Sequence, residues 1–197
     1  MQIIFHTEHS AKDFSTRNSG IFPPPPQKCP FKDCGLPVKF RKHGYYTRYY
    51  ISGIFTGVLY IRRYICPVCG RTISMLPVFC LPKFQYSGLD IISMLHELYQ
   101  GGLALKRYVE GLRRYFPAVD RRHINYYRKR ISENRKFIQY GLNLISPEFI
   151  SAGSIPENQI WVREFLDEVN RIQARIFLVD FHTKTGESFM TLQNMVA

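Results

Sequence analysis

Cys29-Pro30-Phe31-Lys32-Asp33-Cys34-Gly35 and Cys66-Pro67-Val68-Cys69-Gly70 decide how the first half of this chain is read. The spacing is C-x4-C, 31 intervening residues, then C-x2-C. Each pair puts two thiolates on one tight turn, and two such turns complete a tetrahedral zinc site. Pro30 and Pro67 follow the first cysteine of each pair, and Gly35 and Gly70 follow the second. A ligand turn needs that order: a fixed φ, then a residue that tolerates φ > 0. Cys29, Cys34, Cys66 and Cys69 are therefore the expected ligands of a structural Zn2+. Four protein ligands leave no open position for water, which disfavours a catalytic zinc. His43 could replace a cysteine, but with four cysteines present it reads as a strand or surface residue. Cys80 is the spare and reads as a small buried apolar side chain.

Between the pairs, Lys39-Phe-Arg-Lys-His-Gly-Tyr-Tyr-Thr-Arg-Tyr-Tyr-Ile51 is rich in aromatic and β-favouring residues. Ser52-Gly53 and Gly57 supply turn chemistry. Val58-Leu-Tyr-Ile-Arg-Arg-Tyr-Ile65 then runs into Cys66, so a hairpin is expected whose far strand delivers the second pair. Lys39, Arg41, Lys42, Arg48, Arg62 and Arg63 alternate with tyrosines, a composition that suits phosphate contact and base stacking. Inward-facing tyrosines would pack a small core instead. Residues 75–82, with two prolines, read as an extended connector. Residues 1–27 read as a lead-in with a short strand at Ile3-Ile4-Phe5, and Pro23–Pro26 as an extended linker.

The period changes from two to 3.6 after residue 86. Ser87 and Asp90 form a capping box ahead of Ile91, Ile92, Leu95, Leu98 and Tyr99, and Gly101-Gly102 stops that helix. A second helix carries Leu105, Tyr108, Val109, Leu112 and Phe116, and Pro117 ends it. Asp120 caps a third, with Ile124, Tyr127, Ile131 and Ile138 in phase. Three helices with short breaks match a helix-turn-helix-like unit over 84–140. In such a unit the last helix presents its first turns to base edges. Arg121, Arg122, Asn125 and Arg128 or Lys129 are the candidate reading set, with Arg113 and Arg114 on phosphates. A solvated basic face on an ordinary bundle is the plainer alternative. Residues 141–197 read as a C-terminal helical extension with one helix near Pro156 to Gln173; residues 175–181 are a strand or a helical continuation.

Charge supports a polyanion partner. The chain of 197 residues has a net charge of +12, and residues 28–136 alone carry +15. Such a block attracts phosphates and releases their counterions. A hydrophobic fraction of 45% excludes a wholly disordered chain. No apolar run approaches the roughly 18–20 residues of a membrane span. The start lacks a basic segment followed by a long apolar one, so a cytoplasmic, nucleoid-associated location is expected. In a reducing compartment the paired cysteines ligate metal rather than form disulfides.

The segments CPFKDCG, HGYYTRYY, YIRRYICPVCGRTISMLP and FQYS resemble the N-terminal zinc-ribbon region of bacterial insertion-sequence transposases, closest to an uncharacterised transposase-like zinc-binding family. The resemblance covers about residues 28–136 and is specific from Cys29 to Pro77. It implies terminal-repeat DNA binding by ribbon plus helix-turn-helix, with the four cysteines in the ligand positions. Such transposases continue into a domain whose three spaced carboxylates hold two metal ions. Asp167, Glu168, Asp180 and Glu187 lie too few residues apart to be its corners, so no catalytic residue is assigned.

The expected architecture is thus α+β: a zinc-ribbon hairpin domain (28–83), the three-helix unit and the helical extension. The expected function is non-catalytic, zinc-stabilised binding of double-stranded DNA for a mobile element. A nucleic-acid-processing enzyme fragment and a zinc-dependent protein-interaction adaptor are the alternatives. RNA or single-strand binding, and a homodimer, stay open.

Overall fold

A computed structural model describes residues 1–149 and 158–191. The chain divides into two compact units, Met1–Gln85 and Tyr86–Ala197.

In the first unit four strands form one sheet: β1 (Gln2–Phe5), β2 (Arg41–Ile51), β3 (Thr56–Ile65) and β4 (Thr72–Pro77), in the order β1-β4-β3-β2. The hairpin expected between the cysteine pairs is β2–β3, antiparallel from Arg41↔Ile65 to Ile51↔Thr56. Ser52 closes its loop, with its backbone N–H and hydroxyl both donating to the Phe55 carbonyl at 2.9 Å. A register shift lies between Lys42 and Tyr45, where Gly44 takes φ 68°. Leu59, Ile61, Ile73 and Leu76 are fully buried, each worth roughly 1.5–3 kcal/mol of transfer free energy.

Two expectations change here. Residues 75–82 are not simply a connector: Met75, Leu76 and Pro77 end β4, which pairs antiparallel with β3 and parallel with β1. Pro77 is tolerated because it occupies the last strand position, where its missing N–H costs little. The Val78 N–H continues the pairing, donating to the Phe5 carbonyl at 2.9 Å. Residues 1–27 are likewise part of the first unit and not a separate lead-in. Ile3-Ile4-Phe5 lies in β1 as expected, and Phe14, fully buried, packs edge-on against Phe22 and Phe79 at 5.2 and 5.6 Å between ring centroids.

The second unit is helical: α1 (Gly88–Gly101), α2 (Leu105–Leu112), α3 (Arg121–Glu133), α4 (Arg135–Ile145), α5 (Asn158–Ile172) and α6 (Ala174–Thr185). The Ser87 hydroxyl accepts from the Asp90 N–H, and Gly102 ends α1 with φ 59°. Asp120 caps α3 through the N–H groups of Arg122 and His123. The third helix stops earlier than its apolar phase suggests. Asn134 interrupts it with φ −89° and ψ 6°, and its buried amide donates to the carbonyls of Phe189 and Thr191 at 2.8 and 2.9 Å. Ile138 therefore belongs to α4. The ambiguous 175–181 segment is helical, inside α6. The helix expected near Pro156 is α5; Pro156 itself lies outside the described residues. Among the described residues no helix is long and apolar enough to cross a membrane.

Candidate metal centre and basic surfaces

Each cysteine pair sits on a turn built by its own backbone. In the first, the N–H groups of Cys34 and Gly35 both donate to the Phe31 carbonyl at 2.9 Å. In the second, the Gly70 N–H donates to the Cys66 carbonyl at 3.0 Å. Gly35 and Gly70 leave these turns at φ 57° and 69°, the left-handed region that a side chain would strain. The strands then bring the turns together. Cys66 follows directly on β3, and its N–H donates to the Arg71 carbonyl at 2.9 Å, which folds the second turn back toward β4. Cys29 donates to the Leu36 carbonyl at 2.9 Å, beside the bridge between Lys28 and Pro37.

The four thiol sulfurs lie within 4.8 Å of one another. Cys29 Sγ is 3.8 Å from Cys69 Sγ, and Cys34 Sγ is 4.0 Å from Cys66 Sγ. These distances are far beyond a sulfur–sulfur bond. They suit one ion at the centre of four ligands: a tetrahedron with ~2.3 Å metal–sulfur bonds has ~3.8 Å edges. Among the described residues this is the one group of three or more His, Cys, Asp or Glu able to hold a metal. His43 is exposed on β2 and does not belong to it.

Polar groups around the centre act unequally on the thiols. The Arg71 backbone N–H donates to the Cys69 sulfur and holds that thiol below its usual range. Burial pushes the Cys29 thiol up, so its thiolate needs a cation nearby. Arg71 was not legible as a site residue. Its guanidinium stacks on Phe31 at 4.1 Å and pairs with Asp33, both inside the first turn. The signal available was an arginine directly after C-x2-C-G, and its partners lie across the hairpin. Cys80 is buried, and that burial raises its thiol to about 12, as fits a small core side chain.

No protein-family model, curated protein or solved structure matches this chain.

The basic candidates of the first unit fall into two groups. Lys39, Arg41 and Lys42 are exposed, and Arg41 pairs across the hairpin with Ile65, next to Cys66. Arg48, Arg62 and Arg63 are engaged within the unit, Arg62 buried and the other two half-buried. Arg48 donates to the carbonyls of Leu81 and Phe84, and Arg63 Nη2 donates to Thr72 Oγ1 at 3.4 Å. Arg62 is only 7% exposed, its guanidinium 4.8 Å from the Tyr45 ring. The expected alternation of cations and tyrosines thus builds packing on one stretch and leaves free charge at the cysteine end.

In the second unit Arg121, Arg122, Asn125 and Lys129 are exposed on α3. Lys129 lies 3.6 Å from Glu133, and Arg122 2.9 Å from Asp120. Arg128 is half-buried, with Nε donating to the Tyr99 hydroxyl of α1 at 3.2 Å. Arg113 and Arg114 are exposed where α2 ends, and Arg113 Nε donates to the Val119 carbonyl at 3.3 Å. Arg130, another cation of this helix, is buried and donates to the Met190 carbonyl at 3.0 Å. Of the C-terminal carboxylates, Asp167 accepts from His96 Nε2 at 3.0 Å and Glu168 pairs with Arg171 at 2.5 Å.

Proposed function

We propose that this protein is a zinc-stabilised DNA-binding protein without catalytic chemistry of its own. The observation that carries the reading is the cluster of Cys29, Cys34, Cys66 and Cys69, whose sulfur spacing fits a tetrahedral ion. Zn2+ is the ion best matched to four thiolates, and with four protein ligands it keeps no open position for water or substrate. Bound there, it supplies structure: it neutralises thiolates and ties the two ends of the β2–β3 hairpin. Apparent zinc affinities of ~10–16 kcal/mol in small zinc domains exceed what any few buried side chains of this sheet contribute, so binding would dominate the stability of the first unit. The centre then acts as the clamp of a zinc ribbon.

The partner is read from charge. Lys39, Arg41 and Lys42 are exposed at the cysteine end of the hairpin, and Arg121, Arg122, Asn125 and Lys129 are exposed on α3. Arginine and asparagine in the first turns of a helix suit guanine and adenine edges, and lysines suit phosphates. A helix-turn-helix role for α2–α3 and a mobile-element setting rest on the sequence resemblance.

The test is duplex binding at a series of salt concentrations, using zinc-loaded protein. The reading expects affinity to fall steeply with salt, because each phosphate contact releases counterions. Absence of salt-dependent duplex binding rejects it. Preference for a single strand at equal salt would favour stacking on exposed tyrosines such as Tyr49 and Tyr126 instead.

A further inference from the structure

A cleft of about 150 Å³ opens between α2 and the start of α3, lined by Lys106, Val109, Glu110, Arg113 and Arg121. Three cations and one carboxylate face it, which leaves a formal charge of +2. Among the described residues no ion pair involves any of the four. The nearest acid in sequence to Arg121 is already committed. Asp120 accepts from the N–H groups of Arg122 and His123 and pairs with the Arg122 side chain. Arg113 is steadied by its Nε bond to the Val119 carbonyl, which limits the freedom its guanidinium would lose on binding an anion. Val109, buried, forms the apolar floor.

Size and charge together select the ligand. The volume is below the roughly 300–1,000 Å³ of pockets that enclose a drug-sized molecule. At ~30 Å³ per water it holds about five waters, enough for one oxyanion and part of its hydration. Guanidinium groups are well shaped to hold a phosphate by paired N–H donors. We propose that this cleft seats one backbone phosphate of the bound nucleic acid, gripped jointly by Lys106, Arg113 and Arg121. This rests on the DNA-binding reading above. It differs in detail from the sequence expectation, which gave Arg121 to base edges and did not include Lys106. One phosphate held here would set the register of α3 on the duplex.

The experiment compares wild-type protein with Lys106→Ala, Arg121→Ala, their double variant and Arg107→Ala, by anisotropy of a labelled duplex at several salt concentrations. Arg107 is an exposed cation on α2 outside the cleft, and controls for loss of one charge. All three positions are exposed, so circular dichroism should show unchanged helix content; Arg121→Gln repeats the test with a longer uncharged side chain. Each cleft variant is expected to weaken binding about tenfold, and Arg107→Ala less than threefold. Because both residues share one phosphate with Arg113, the double variant lowers the salt slope by at most about 0.9, not by the ~1.8 of two independent contacts. If wild type binds but the cleft variants match Arg107→Ala, or the double variant loses the larger slope, the phosphate site is wrong and the DNA-binding reading stands. If wild type shows no salt-dependent binding, the reading fails and takes the site with it.

Discussion

The Arg71 guanidinium lies 4.1 Å above the ring of Phe31. Phe31 sits between Cys29 and Cys34, and Arg71 comes two residues after Cys69, so this contact joins the two cysteine turns independently of any ion. Asp33 adds an ion pair to the same guanidinium. Both groups are substantially exposed, so the pair alone contributes little to stability. Its consequence lies at the centre: a cation beside the Cys69 sulfur favours the thiolate there and joins the two turns.

Arg71→Ala should therefore weaken metal retention more than it weakens the fold. Groups in this outer position change metal affinity by roughly 10–100-fold. Competition with a chromophoric chelator measures it. Arg71→Lys should recover part of the loss, since it keeps the charge but not the planar stack. Unchanged competition in Arg71→Ala would contradict this role.

Asp120 gives the helical unit a pH dependence of known sign. The His123 backbone N–H, then the Arg122 side chain, hold its carboxyl down to about 2 from an ordinary 3.8. A lowered folded value means the ionised cap favours the folded state. Its contribution is complete above about pH 4 and is lost as pH falls toward 2. Asp120→Ala should cost about 1 kcal/mol at pH 7, the usual value of an N-cap. Urea unfolding at pH 7 and pH 2 checks both claims: the gap between wild type and variant narrows at the lower pH.

Gly141 is required by packing. A Cβ built there would lie 2.2 Å from the Phe181 ring, and Phe181 is itself buried between Phe137 and Phe177 at 5.3 and 5.4 Å. Gly141→Ala gains about 1 kcal/mol of helix propensity yet forces this cluster apart, at a cost of typically 1–3 kcal/mol. Thermal unfolding should show a lower Tm. A raised Tm would mean that α4 and α6 separate without penalty.

Asn134→Ala removes the donor that serves the Phe189 and Thr191 carbonyls. A lost partner for a buried acceptor costs about 1–3 kcal/mol. The substitution also favours one continuous helix across α3 and α4, so circular dichroism should show stability falling without loss of helical signal.

What could be read from sequence was local. The cysteine turns, with Gly35 and Gly70 in left-handed conformation, follow from spacing and residue type, as do the caps at Ser87 and Asp120. The β2–β3 hairpin follows from its composition. The pairing of β1 with β4 joins Gln2 to Ser74, and parallel pairing at that separation leaves no local signature. The Asn134 amide finds its partners in carbonyls more than 50 residues away, which no local pattern marks. Arg62 read as a surface cation because alternation marks two faces without saying which one other chain segments cover. The partners of Arg48 are main-chain carbonyls, which carry no residue signature.

Native mass spectrometry of the purified chain mixed with a short DNA duplex tests the central claim in one measurement. The account predicts a DNA-bound species in which every protein chain carries one zinc ion, and that the Cys66→Ser chain retains no zinc. Protein that binds no duplex, or binds it with no metal on the four cysteines, would contradict it.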